Sequence, residues 1–218
     1  MRQGDDDTEL IGRDTENEEQ IEQIDEVSHV ISVWGIAGVG KSALVRSAYC
    51  KYLKNRANFA GLNMSFIHGW VNVPHPFNLR EFCRTLVLNL SSKPAKTQED
   101  AAAELTNMTN PIDVCRRLLS DEQQRNQCLI VIDDLQTVEE WDTIKQALSF
   151  GQDCCVILVT NESSVAKHCS GQDQDQLVFN VKGLADEDAF QLFDKVLTLK
   201  LSFFVVSSPF GFLLPAYA

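Results

Sequence analysis

The chain has little positive charge: 19 Lys and Arg stand against 31 Asp and Glu, a formal net charge of -12 over 218 residues. Nucleic-acid binding draws on clustered basic side chains that neutralise phosphates, and this balance argues against it. The seven cysteines (Cys50, Cys83, Cys115, Cys128, Cys154, Cys155 and Cys169) include no C-x-x-C pair and fit no zinc spacing. They read as buried thiols of a reducing compartment. The opening MRQGDDDTEL lacks the basic start and the apolar stretch of a secretory signal, which leaves the cytoplasm as the expected location. An unbroken apolar run long enough for a bilayer is missing too. Residues 201–218, LSFFVVSSPFGFLLPAYA, come nearest, but they sit at the lower length limit and are interrupted by Pro209, Gly211 and Pro215. The segment over 198–218 therefore reads as an atypical apolar tail rather than a membrane anchor.

What is present has the rhythm of an α/β domain, and the length suits one such domain with tails. Residues 1–9 read as a disordered acidic tail, and Glu16, Glu18, Glu19, Glu22, Asp25 and Glu26 as a solvated helix face. Short β-branched runs then alternate with amphipathic stretches, as a central, mainly parallel sheet covered by helices requires. Strands are expected at Val30 to Trp34, Phe66 to Val73, Cys128 to Ile132, Cys155 to Thr160 and Leu177 to Val181. Helices are expected over Lys41 to Lys54, after an Asn78 N-cap, from Asn110-Pro111 to Leu119, around Val165 to Cys169 and over Ala185 to Leu197. Thr137 and Glu140 form a capping box ahead of Trp141, Ile144 and Leu148. Residues 91–109, polar and without an apolar stripe, read as a surface connection.

The chemistry is concentrated at Gly35 to Ser42, GIAGVGKS, which meets the pattern G-x-x-x-x-G-K-[ST] between a strand and a helix. Gly35, Gly38 and Gly40 let the backbone curl so that its N–H groups, with that of Val39, point at phosphate oxygens, and the following helix adds the positive end of its dipole. Lys41 is expected to reach the β- and γ-phosphates, and the Ser42 hydroxyl to ligate Mg²⁺. The implied cofactor is ADP or ATP with Mg²⁺. A P-loop needs a second metal partner at the end of a nearby strand, and Asp133, after LIVI, is the candidate; Asp134 is placed to orient or deprotonate a water. Without the loop upstream, the plain alternative for this Asp-Asp pair is a strand that stops at a turn.

Several segments together resemble the NB-ARC domain of plant nucleotide-binding, leucine-rich-repeat disease-resistance proteins: Leu10-Ile11-Gly12-Arg13, GIAGVGKSALVR, GWVNV, LIVIDDLQ, ILVTNESSVAKHC and LVFNVKGLADEDAFQLF. GWVNV and Trp141 look more like the coiled-coil class than the Toll-like class. The resemblance spans about residues 10–197 and implies a P-loop NTPase of the STAND type, an ADP/ATP-binding switch in plant defence. It also implies that Ile11, Gly12 and Arg13 lie over adenine and ribose, that Gly38, Gly40, Lys41, Ser42 and Ala43 hold the phosphates, and that Asp133 and Asp134 serve metal and water.

Three departures qualify it. Family members usually carry Thr-Thr-Arg where this chain reads Val159-Thr160-Asn161 and its neighbours, the arginine sensing the γ-phosphate. Asn161 occupies its place, and an amide brings no delocalised positive charge. The helical and winged-helix subdomains, with the Gly-Leu-Pro-Leu and Met-His-Asp segments that close over ADP, are not in the sequence. Neither is a leucine-rich repeat or an N-terminal signalling domain, so a truncated form is expected, its tail arising from a shifted frame or a retained intron. Two other readings stand beside the switch: an ATPase or small-molecule kinase of slow turnover, and a nucleotide-independent fragment that pairs with full-length relatives.

Overall fold

The computed structural model describes residues 10–13, 24, 30–58, 66–92, 110–119, 127–148, 150, 154–171 and 177–195. The acidic tail over 1–9, most of the acidic stretch around 16–26 and the apolar tail over 198–218 lie outside the described residues. The chain divides into two compact units, residues 15–182 and residues 1–14 with 183–218.

The first unit is built on a sheet. Its strands are β1 (Val30–Trp34), β2 (Phe66–Asn72), β3 (Ser91–Ser92), β4 (Gln127–Leu135), β5 (Cys154–Thr160) and β6 (Val178–Asn180), in the spatial order β3-β2-β4-β5-β1-β6. All neighbours run parallel except β3, which pairs antiparallel to β2 through Ile67–Ser92 and His68–Ser91. The expected surface connection thus begins as a two-residue edge strand. Helices α1 (Lys41–Asn58), α2 (Leu79–Asn89), α3 (Pro111–Leu119), α4 (Val138–Leu148) and α5 (Ser163–Ser170) belong to the same unit. α1 runs four residues beyond its expected end at Lys54.

Strand periodicity divides the core between the two faces of the sheet. Cys128, Ile130 and Ile132 of β4 join Val71, Val156 and Leu158 beneath Phe82, Leu86, Val114, Trp141, Ile144 and Val165 of α2 to α5. On the opposite face, Tyr49 and Tyr52 of α1 meet His68, Trp70 and Phe66, which alternate along β2. β5 is buried at every position, as a strand central to a doubly covered parallel sheet must be.

Local signals held where a side chain satisfies orphan helix donors. Asn78 Oδ1 accepts from the Glu81 N–H at 3.1 Å, and Asn110 Oδ1 accepts from the Ile112 N–H at 3.2 Å. The capping box closes in both directions: Glu140 N–H donates to Thr137 Oγ1 at 3.2 Å, and Thr137 N–H donates to Glu140 Oε2 at 3.1 Å. Six cysteines are buried, and desolvation raises the thiols of Cys155 and Cys169 to about 12, so they stay protonated and unreactive. Cys50, on the solvent side of α1, is exposed, which corrects the expectation that all seven are buried.

In the second unit, residues 186–195 are helical, and Phe190, Leu192 and Phe193 are exposed. No helix among the described residues is long and apolar enough to cross a membrane.

Candidate functional site

The C-terminal ends of β1, β4 and β5 carry the residues picked out in the sequence. β1 leads into the glycine loop at residues 35–40, and α1 starts at Lys41, its Leu44 N–H donating to Gly40 O at 3.0 Å. Gly38 (φ +79°) and Gly40 (φ +100°) are left-handed, so each needs glycine on conformational grounds, and a Cβ at either would meet no atom within 4 Å. Gly35 is needed for a different reason. A Cβ there would lie 2.5 Å from the carbonyl oxygen of Val181, just past β6. The loop is thereby pressed onto the sheet at its start and open where phosphate oxygens would sit. Ala37, Gly38 and Gly40 are exposed, as is Ala43 in the first turn of α1.

Lys41 folds back over this loop. Its ammonium donates to the carbonyl oxygens of Gly35 (2.9 Å) and Ile36 (3.0 Å) and to Asn161 Oδ1 (2.7 Å). These three acceptors match the three protons of the group. Burial lowers the pKa of Lys41, opposed by the nearby charges of Asp133 and Asp134. Asn161 stands at the tip of β5, and because β5 lies between β1 and β4, that tip falls between the loop and the aspartate pair.

The Ser42 hydroxyl donates to Asp133 Oδ1 at 3.1 Å, joining the first turn of α1 to β4. Asp133 is buried, and desolvation raises its pKa above the usual 3.8, against the hydrogen bonds from Ser42 and the Asp134 N–H. A hydroxyl and a carboxylate are hard oxygen donors suited to Mg²⁺. Among the described residues no three His, Cys, Asp or Glu side chains converge on a common metal position. The donor set therefore fits a cation shared with ligand phosphates better than one caged by protein.

The aspartates do not end their strand, as the sequence suggested. β4 continues to Leu135, with its register against β5 shifting between Ile132 and Leu135. Asp134 falls in that shift with φ +62°, left-handed and, among the described residues, the one non-glycine of positive φ. Its carboxylate is half-exposed beside His75. The sequence reading passed over His75, which follows β2 in a stretch of no regular pattern; register explains its position, since Asn72 pairs with Asp133 and Val73 N–H donates to Asp133 O at 2.9 Å. Arg46, one turn beyond Ser42, was also missed; its charge opposes the rise in the Asp133 pKa while its guanidinium covers Trp70 at 5.0 Å.

Ile11, Gly12 and Arg13 belong to the second unit. They form a turn in which Arg13 N–H donates to Leu10 O at 3.2 Å. Gly12 has φ +70°, and a Cβ there would collide with the Asp188 carboxylate.

Comparison with known proteins decides the family, because the model of the NB-ARC domain matches residues 14–201. The chain belongs to the NB-ARC family. Among curated NB-ARC relatives, a putative disease resistance RPP13-like protein 2 of Arabidopsis thaliana is 25% identical over 167 residues, covering 76% of this chain and 17% of that protein. Disease resistance protein RGA4 of Oryza sativa subsp. japonica is 31% identical over 170 residues, covering 75% of this chain and 15% of its own length. The NB-ARC chain thus spans about a sixth of such relatives. Among solved structures, the Aeropyrum pernix ORC2 protein superposes with a TM-score of 0.60 at 13% identity, covering 88% of this chain and 53% of that one. The Walker-type ATPase paby2304 of Pyrococcus abyssi gives 0.52 at 12% identity, covering 88% and 59%. At such identities the likeness concerns fold alone, and that fold is the P-loop NTPase architecture expected for an NB-ARC domain.

Proposed function

We propose that this chain is the nucleotide-binding core of a plant immune-receptor switch, acting in the cytoplasm and holding ADP or ATP with Mg²⁺ over residues 10–197. The observation that carries the reading is the convergence of Lys41, Ser42, Asp133 and Asn161 at the ends of three strands, beside a left-handed glycine loop. Bound Mg²⁺ would neutralise charge on the phosphates. Lys41 and the N–H groups of Gly38, Val39, Gly40, Ser42 and Ala43 would hold phosphate oxygens, and Ser42 with Asp133 would take the metal. Asp134 would orient a water at the terminal phosphate. Ile11, Gly12 and Arg13 are assigned to the adenine and ribose by family likeness.

Turnover is not the design this geometry favours. The residue beside Lys41 at the end of β5 is an amide rather than a cation. A slow switch resting with a diphosphate fits that arrangement better than a rapid ATPase. Titration of fluorescent ADP into the purified chain with Mg²⁺ tests the reading. Saturable binding weakened roughly 30-fold by Lys41→Ala is expected, the worth of one charge-assisted hydrogen bond of about 2 kcal/mol. No saturation up to millimolar ADP would overturn it.

A further inference from the structure

The loop after β2 brings to this site a side chain with no part in holding phosphate or metal. His75 Nε2 lies 3.0 Å from the carbonyl oxygen of Asp134 and 3.3 Å from its Oδ2. A carbonyl oxygen only accepts, so Nε2 carries the proton and donates. One N–H therefore addresses both the main chain and the side chain of the same aspartate, tying the direction of the carboxylate to the backbone that bears it.

That backbone needs tying. Asp134 occupies the left-handed region, which aspartate enters more readily than most residues with a Cβ but not as freely as glycine, and its N–H is already engaged by Asp133 Oδ1 at 2.9 Å. Behind the imidazole, Nδ1 lies 3.7 Å from Glu140 Oε1, beyond hydrogen-bond reach, while Glu140 Oε2 accepts from the N–H groups of Gln136 (2.9 Å) and Thr137 (3.1 Å) at the start of α4. The order is thus helix cap, carboxylate, imidazole, carboxylate.

We propose that His75 is a positioning residue for Asp134, holding its carboxylate in the direction from which it orients the attacking water. The proposal rests on the nucleotide reading above. The contacts of His75 are to Asp134 and Glu140, so its removal should affect the chemical step and leave the affinity for ADP unchanged.

The test is single-turnover hydrolysis of ATP with Mg²⁺ by the full chain, measured with ADP affinity and melting temperature for the wild type, His75→Phe, His75→Gln and Asp134→Asn. The expected result is a rate about tenfold lower in His75→Phe, the scale of a slightly misdirected catalytic group. ADP affinity should not change, and melting temperature should fall by no more than a few degrees, the cost of one lost hydrogen bond. His75→Gln, whose amide can also donate at that reach, should recover most of the rate, and His75→Phe added to Asp134→Asn should slow it no further. If the phenylalanine variant fails to fold, His75→Asn, too short to reach Asp134, replaces it with the same expectation. A wild-type rate in His75→Phe, or ADP binding without any ATP turnover in the wild type, overturns the role of His75 alone. Equal losses of rate, affinity and melting temperature in the Phe and Gln variants overturn it as well, in favour of a structural role. Absence of ADP binding in the wild type overturns the nucleotide reading, and this proposal with it.

Discussion

Lys41 Nζ and Asn161 Oδ1 stand 2.7 Å apart although 120 residues separate them in sequence. A phosphate that claims the ammonium must displace the amide or share the cation with it. Replacing the amide with a guanidinium changes both the competition and the charge. Asn161→Arg should move the ratio of ATP to ADP affinities toward ATP by about tenfold, as one added charge-assisted contact to a terminal phosphate would. Calorimetric titration with each nucleotide measures the ratio, and an unaltered ratio would count against Asn161 as the discriminating position.

The buried carboxylate of Asp133 predicts a conflict between stability and function. Its pKa is raised in the fold above 3.8, mainly by desolvation, so the folded chain binds more protons there than the unfolded chain does. Stability is therefore lost as pH rises from about 3.8 through the raised folded value, and the full penalty is present at neutral pH. Asp133→Asn keeps an oxygen for Ser42 and the Asp134 N–H without the charge. At pH 7 it should melt a few degrees above the wild type in the absence of nucleotide, with the difference vanishing in acid. The same variant should lose the further rise in melting temperature that Mg²⁺ gives with nucleotide. Scanning calorimetry from pH 3 to 8 would show both.

Gly35→Ala probes the pressed start of the loop. The new Cβ would meet the Val181 carbonyl at 2.5 Å, and backbone on both sides leaves no flexible tip to yield. Destabilisation of about 1–3 kcal/mol in urea is expected, with weaker ADP binding because the loop is lifted from the sheet. Unchanged values for both would mean that the loop adapts freely.

Trp141 is 1% exposed and stacks on Phe150 with ring centroids 6.2 Å apart. Trp141→Ala should cost about 3–5 kcal/mol in urea denaturation, a large fraction of the stability of a domain this size. A loss under about 1 kcal/mol would show that α4 can settle into the gap.

The legible parts of this molecule are those written in neighbouring residues. The glycine loop, the Asn78 cap and the Thr137–Glu140 box depend on partners within a few positions, and each is found where the spacing places it. The apolar run of β4 was readable, but its continuation through Asp133 and Asp134 was not. Polar residues carry no strand signal, and the left-handed turn of Asp134 comes with a contact from His75, 59 residues away in sequence. β3 escaped because two residues have no periodicity. The partnership of Lys41 with Asn161 belongs to the strand order, which no local pattern encodes.

The strand order has one more consequence. With β5 inserted between β1 and β4, the gap from the glycine loop to Asp133 spans two strand spacings, about 9.5 Å across the sheet. Backbone hydrogen bonds set that width, so side-chain replacement within the three strands leaves it nearly constant. On the nucleotide reading proposed above, sequence change would alter what the site senses only at its tips, with the residue at 161 a replaceable reading head on a fixed frame.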